Sequence, residues 1–551
     1  MNSRVLSAIP AASSLLLLLF APTAGFSAVT QIPVFPGAAP SISYKVTVDG
    51  QPIFVYRHPT YNQFQWMDYA RFTMNGKVRV TVETLVSERD VVTCYIRPLA
   101  YGIKPVIKGN SATFELDRPR DLVIFLNEEP RFQNTGLLLF AEPPEKNPPK
   151  LGDASVVNIM DYQVDNTGKT AETEKINKAI AEVSARPGGG TLYFPPGTYQ
   201  TGTVVMQSNV TFYVAAGAVI RGTRKEKDYT AGPGIRNRSQ FLFNNVQNAG
   251  LKGKGAIDIE GYPWLWHDFQ PDLGDGKARS PEGLVFDPRN GIKGYIVNNS
   301  KNVTFEDLLL LRSAYWTITV TNTSGFTSRN IKVVNRKNQY HDDCYDFTGS
   351  SKHILVENGF AMTTDDTFAF YQTGSDEGLD DVVVKGFVNY TYTAGLILGY
   401  GQVPRATHVR LEDVHFISNQ NKFAFMVQAT SAYSTGRGTP YSSMPGLPGR
   451  GLMPKRPGPG AVAGLDDFRV VNSSFESDGG HIYIDGGDVP LTNFVFENCT
   501  FYRADRPGKL TGKRVGPILF KNVKMNGAVL KNIEQLKQAG YEVDVPVKFE
   551  P

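Results

Sequence analysis

Cysteine is almost missing from this sequence. Only Cys94, Cys344 and Cys499 occur in 551 residues, an odd number set far apart, which excludes a disulfide framework and a cysteine-based metal site. Cys344 lies between Asp343 and Tyr345 without a legible His or Asn partner, so it reads as a packing thiol and not as a nucleophile. Long helical periodicities are nearly absent, which argues against a helical or α/β architecture. Clustered positive charge is lacking as well: the net charge is +4, and Lys and Arg are scattered. No basic stripe exists for nucleic acid, and that class of partner is set aside. After the first residues, no apolar run approaches the roughly 20 residues that span a bilayer.

The single apolar run, Leu15 to Phe20, follows Arg4 and leads into small residues. This reads as a secretory signal peptide over residues 1–28, with export to the extracellular space or periplasm expected. What the sequence does have is Gly 53, Phe 33 and Tyr 25, with many Val, Thr and Asn, a composition that favours an all-β protein. At 551 residues the chain exceeds what one compact core normally holds, so two domains or an elongated repeat are expected.

From 29 to 142, short alternating runs such as Tyr44 to Val48 and Val78 to Val82, with turn signals at Asp49-Gly50 and Asn75-Gly76, predict a small antiparallel β-sandwich. Its aromatics Tyr56, Tyr61, Phe64, Trp66 and Phe72 are read first as packing residues and second as sugar platforms. The proline-rich stretch 143–151 reads as a semi-rigid linker. Thr170 to Ser184 predicts a helix with Thr170 at its N-cap and Ile176, Ala179, Ile180 and Val183 on one face. Beyond it, segments beginning at Asn209, Asn302, Asn330, His353, His408, Phe468 and Phe494 repeat one pattern: a β-run, a polar residue, often Asn or Asp, and another β-run. Most neighbours are about twenty-odd residues apart, the length of one coil of a parallel β-helix, which is expected over 152–551. Residues 531–539 predict a terminal helix and 541–549 a last strand. The Gly/Pro-rich stretch 432–463 has no periodicity and reads as a long loop bordering a cleft. Sequons at Asn209, Asn302 and Asn498 are candidates for glycans only in a eukaryotic host.

One stretch concentrates chemistry. Asp342, Asp343 and Asp346 precede an apolar, strand-like circuit, and Asp365 with Asp366 follow it. If that circuit is one coil, the chain returns about 4.8 Å above its start and stacks the acidic segments into one patch. Asp365 and Asp366 lead directly into the alternating Thr367 to Tyr371, so their directions are set by a strand.

With these motifs in place, the chain resembles the polygalacturonase family of glycoside hydrolases, family 28, and its dextranase and isopullulanase relatives. The resemblance runs over roughly 152–526 and is carried by GGGTLYFPPGTYQTG from Gly188, GKGAIDIEG from Gly253, LLLLRSAYWTITVTNTSG from Leu308 and the paired acidic motifs. It implies a right-handed, pectin-lyase-like parallel β-helix and inverting hydrolysis of a glycan without metal or cofactor. It places Asp343 at the family's first catalytic aspartate, Asp365 as general acid, and Asp366 with Asp343 as the carboxylates that activate water. Asp346 fits the motif's trailing, structural aspartate. Inversion needs the acid and base about 6.5–9.5 Å apart, and three clustered aspartates repel, which keeps one protonated.

The sequence departs from the family's pattern twice. Tyr400 stands in place of the family's His, and Met426 and Gln428 occupy the positions of an Arg-Ile-Lys segment that holds the substrate carboxylate. A uronate would lose charge-assisted hydrogen bonds worth about 1.5–3 kcal/mol each, so a neutral glycan is favoured, with Arg336, Lys337, Arg405 and Lys422 as other sources of a cation. His341, Tyr371, Tyr400, Gln402 and Gln428, with Trp264 and Trp266, are the candidate substrate-contacting residues; Trp316 is read at least equally as packing. Two other readings stay open. One is a calcium-dependent polysaccharide lyase, and the other is a non-catalytic carbohydrate-binding solenoid. The oligomeric state is not legible.

Overall fold

The structure is a computed structural model, and it describes residues 28–58, 67–86, 90–132, 134–235, 237–259, 278–279, 285–286, 292–313, 315–335, 341–371, 377–398, 405–429, 464–487 and 489–551. The expected signal peptide, Tyr61, Phe64, Trp66 and the 432–463 loop lie outside these residues, apart from Ala28.

Between Ala28 and Glu142 two sheets of six and five strands face each other. Alternation drives them together: Val46, Val48, Val80, Val82, Phe114, Leu122, Ile124, Leu137 and Leu139 point into one apolar layer, as period-two patterning requires. The sheet that pairs Met67–Asn75 with Gly136–Glu142 does so in parallel, against the expectation of a purely antiparallel sandwich. Five intervening strands supply the long crossover that a parallel pair needs.

From Val156 onward the chain winds into a right-handed parallel β-helix, with one sheet of 24 strands folded over two faces and an 11-stranded sheet forming the third. One coil runs Ser324–Arg329, Lys332–Val334, Tyr345–Thr348, and the next runs Lys352–Glu357, Phe360–Thr363, Phe368–Tyr371. The recurring Asn and Asp of the sequence motif mark the corner between the first two faces. Asp307, Asn330, Asn358, Asp413, Asn472 and Asn498 all have positive φ there, a conformation these residues tolerate because their short side chains bond locally. Gly386 takes the same corner, where a Cβ would lie 2.7 Å from the Asn358 side-chain oxygen. Inside, each coil adds an aromatic to stacks such as Phe194 on Phe212 and Tyr345 on Phe368.

The helix α1 spans Thr173–Ser184 and buries Ile176, Ala179, Ile180 and Val183 over the open end of the solenoid. It starts three residues later than expected. Thr170 belongs instead to the strand Thr167–Ala171, whose backbone pairs with Gly197–Thr201, and Glu172 occupies the N-cap position. At the far end α2, Ile533–Gln538, is fixed by a capping box between Asn532 and Gln535.

Sandwich and β-helix share a core. Tyr69, Val123, Phe125, Phe132, Leu138 and Phe140 pack on Val219, Leu309, Phe360, Met362, Val388 and Tyr390. Tyr56, stacked on Tyr69 at 4.6 Å, is buried in this contact, as its packing reading expects. Within the layer Glu142 accepts from Arg71 at 2.8 Å and Lys254 at 2.9 Å, so buried charges are paired as their desolvation demands. The sandwich thereby flanks the corner at which the acidic segments emerge.

Candidate active site

Consecutive coils bring the acidic segments together at the corner that opens the 11-stranded face. Cys344 donates its backbone N–H to the Asp366 carbonyl at 3.0 Å, and Thr367 donates to Ala394 at 3.0 Å. This stacks Asp343, Asp366 and Ala394 one per coil at the corner. The chain covers 23 residues from Asp343 to Asp366 and 28 from Asp366 to Ala394. One carboxylate oxygen from each of Asp343, Asp365 and Asp366 lies within 4.8 Å of the others. The three are thus one cluster, with Asp343 and Asp366 buried and Asp365 partly exposed.

Backbone amides fix the cluster. Asp342, fully buried, accepts from the Thr364 N–H at 3.0 Å and the Asp365 N–H at 2.8 Å, clipping one acidic turn to the next. Asp343 accepts from the Asp366 N–H at 3.2 Å, and Asp366 accepts from the Ala394 N–H at 2.9 Å. His341, with φ 66°, directs its backbone N–H to Asp365 at 2.9 Å. Its ring is tilted over Tyr315, with centroids 5.6 Å apart.

Two lysines bracket the acids. Lys422 donates to both Asp366 oxygens at 3.0 and 3.2 Å and sits 3.9 Å from Asp365. The sequence offered it only as one of four alternative cations. Lys293 escaped sequence reasoning because nothing around it is acidic or motif-like. It is buried beside Asp343 and Asp346, with its ammonium 3.8 Å from the Trp316 ring centroid. Burial lowers its pKa to about 8 against the pull of Asp346 and Asp343. Its register position, two coils before Asp343, was the only available signal.

These surroundings divide the protons unequally. Burial pushes Asp343 well above the carboxylate range, and Asp365, Asp346 and Asp366 push in the same direction. Burial also raises Asp366 against the opposing charge of Lys422. Burial acts on Asp365 too, but Lys422, His341 and two backbone amides outweigh it and hold Asp365 below its usual value. Asp346 is fully buried and raised by that burial, with Lys293 opposing. Neither of its oxygens has a hydrogen-bond partner among the described residues. An aspartate that held the turn would bond to it, so no hydrogen bond stands behind the structural role expected for Asp346.

The other candidates divide. Gln428 is buried in the third-face strand Phe423–Gln428, and Met426 packs with Ala369, Ala394 and Ile397 in an apolar patch next to the acids. Tyr371 ends the strand Phe368–Tyr371. Trp264, Trp266, Tyr400 and Gln402, with Arg336 and Lys337, lie outside the described residues. Trp316 stacks on Tyr315 at 5.7 Å and carries Lys293. As a donor set for a cation, the three carboxylates carry six oxygens, the low end of what calcium takes, and Lys422 already supplies positive charge to two of the three groups.

Comparison with known proteins extends the resemblance. A family model described as rhamnogalacturonase A/epimerase, pectate lyase-like, matches residues 156–339, the coils leading up to the acidic cluster. An exo-poly-alpha-D-galacturonosidase of Dickeya chrysanthemi is 30% identical over 122 residues, which cover 19% of this chain and 20% of that protein; the match thus spans about a fifth of the relative's length. Among solved structures, Dex49A from Penicillium minioluteum superposes with a TM-score of 0.56 at 13% identity, covering 94% of this chain and 96% of its own. The polygalacturonase from Erwinia carotovora ssp. carotovora gives 0.51 at 14% identity, covering 74% of this chain and all (100%) of its own. The chain is similar to polygalacturonases and to their dextranase relatives, and shares their fold.

Proposed function

We propose that the protein is a glycoside hydrolase whose reaction is carried by Asp343, Asp365 and Asp366. The observation that supports this most is their convergence: three carboxyl groups from two coils meet within 4.8 Å beside an apolar patch. Hydrolysis needs a proton for the departing glycosidic oxygen and a carboxylate to take one from water. A cluster that cannot ionise fully supplies both.

The resemblance makes Asp365 the acid and gives water to Asp343 and Asp366. The charges around Asp365 argue differently, since Lys422 and His341 favour its ionised form while burial favours the protonated form of Asp343. Leaving-group dependence separates the assignments. The Asp→Asn variant of the true acid retains turnover on an aryl glycoside whose leaving group needs no proton, and the variants of the base do not. The 4.8 Å spacing is between single oxygens of the three carboxylates, whereas the stereochemical outcome follows the separation of the whole carboxyl groups, about 6.5–9.5 Å for inversion. Inversion therefore rests on the resemblance, and the anomer released, followed by proton NMR, tests it.

A neutral glycan remains the proposed substrate. Met426 sits in an apolar patch, Lys422 is engaged by Asp366, and Lys293 is buried against Trp316, so none of the three offers a uronate a ready cation. Reducing-end release over dextran, pullulan, polygalacturonate and rhamnogalacturonan is the test; turnover of polygalacturonate alone would overturn the neutral-glycan reading. A second reading is β-elimination, in which a lysine or arginine abstracts the proton next to a uronate carboxylate. It requires an unsaturated product and loss of activity in chelator.

A further inference from the structure

We infer that the N-terminal sandwich positions the catalytic turn, and that His58 is the residue through which it does so. This inference rests on the hydrolase reading for its kinetic part only. His58, 2% exposed, donates from Nε2 to the backbone carbonyl of Asn335 at 3.0 Å, across 277 residues of chain. Asn335 is fully buried and stands at the end of the strand Lys332–Val334, where the chain leaves the second face for the acidic turn. Its side chain donates to the Asp342 carbonyl at 2.9 Å and to the Thr317 hydroxyl at 2.9 Å, and accepts from the Ser313 N–H at 2.9 Å. Its own N–H goes to the Met362 carbonyl at 2.9 Å. An asparagine side chain has two amide hydrogens and an oxygen to place, and here all are used.

The peptide it grips is the one that joins Asp342 to Asp343. Asp342 in turn orders the Thr364 and Asp365 amides. A line of hydrogen bonds therefore runs from the sandwich through Asn335 to both acidic segments. Backbone displacement of a fraction of an ångström at Asp343 is enough to spoil acid–base geometry, which is why a buried anchor outside the β-helix matters to chemistry. His58 touches no reacting atom and is a positioning residue.

The test uses the full chain and the variants His58→Ala and His58→Gln, with Glu142→Gln as a control in the same interface but off the line. The probe is whichever polysaccharide of the four-member panel the wild type turns over. His58→Ala is expected to lower kcat about tenfold, the effect of one lost hydrogen bond, with KM unchanged. Hydrogen exchange should accelerate at the amides of His341, Thr364, Asp365 and Asp366. His58→Gln, whose amide nitrogen reaches the place of Nε2, should restore both. Glu142→Gln should lower the melting temperature without the local exchange change. The inference is overturned if His58→Ala melts earlier with kcat and exchange at those amides unchanged, or if His58→Gln fails to restore them. Should the wild type turn over none of the panel, the hydrolase reading fails while the exchange measurement still decides the role of His58.

Discussion

At the scale of single residues, the cluster makes sharp demands. Asp343→Asn, Asp365→Asn and Asp366→Asn keep side-chain size and remove proton exchange, so each should lower kcat by about 10²–10⁴-fold in a protein that still folds. Asp346→Asn tests a group with no hydrogen bond among the described residues; it should leave the fold intact, and any loss of turnover would place Asp346 in the chemistry. Lys422→Met removes the cation that lowers Asp365 and opposes the rise of Asp366. Both carboxyls then hold protons to higher pH, so the acidic limb of kcat/KM should move upward, with the shift read from a pH profile.

At the scale of elements, the contact between the strand Gly136–Glu142 and the β-helix buries a network of charges. Glu142 is lowered from 4.5 to about 2, because Arg71 and Lys254 overcome the burial that would raise it. A carboxyl depressed on folding stabilises the protein above its unfolded pKa, and that contribution is lost as pH falls through the folded one. On the order of 3 kcal/mol should disappear between about pH 4.5 and 2, visible as a falling melting temperature. Glu142→Gln leaves Arg71 and Lys254 buried without their partner and should cost about 3–5 kcal/mol at neutral pH. Elements also show where local sequence misleads. Thr170 looks like a helix cap, but the strand Thr167–Ala171 gains a ladder against Gly197–Thr201, and tertiary pairing overrides the local preference.

At the scale of the whole molecule, the sandwich and solenoid should not survive separation. Residues 152–551 alone would expose Val219, Leu309, Phe360, Met362 and Tyr390, which are buried in the shared core. A patch of that kind drives association, so the isolated β-helix should aggregate where the full chain stays in solution, as light scattering would show.

The sequence by itself determined the coils, because strand alternation, corner asparagines and inward aromatics are local signals repeated many times. It also determined that Asp343, Asp365 and Asp366 would meet, because one coil returns the chain to its starting point at the strand spacing. The tertiary structure alone decided how charge and burial bias the three carboxyls, since Lys422 approaches Asp366 from 56 residues away and burial has no sequence signature. It alone brought Lys293 to Asp346, and His58 to Asn335 across 277 residues. Contacts of that span follow from how two domains pack, and no local pattern encodes them.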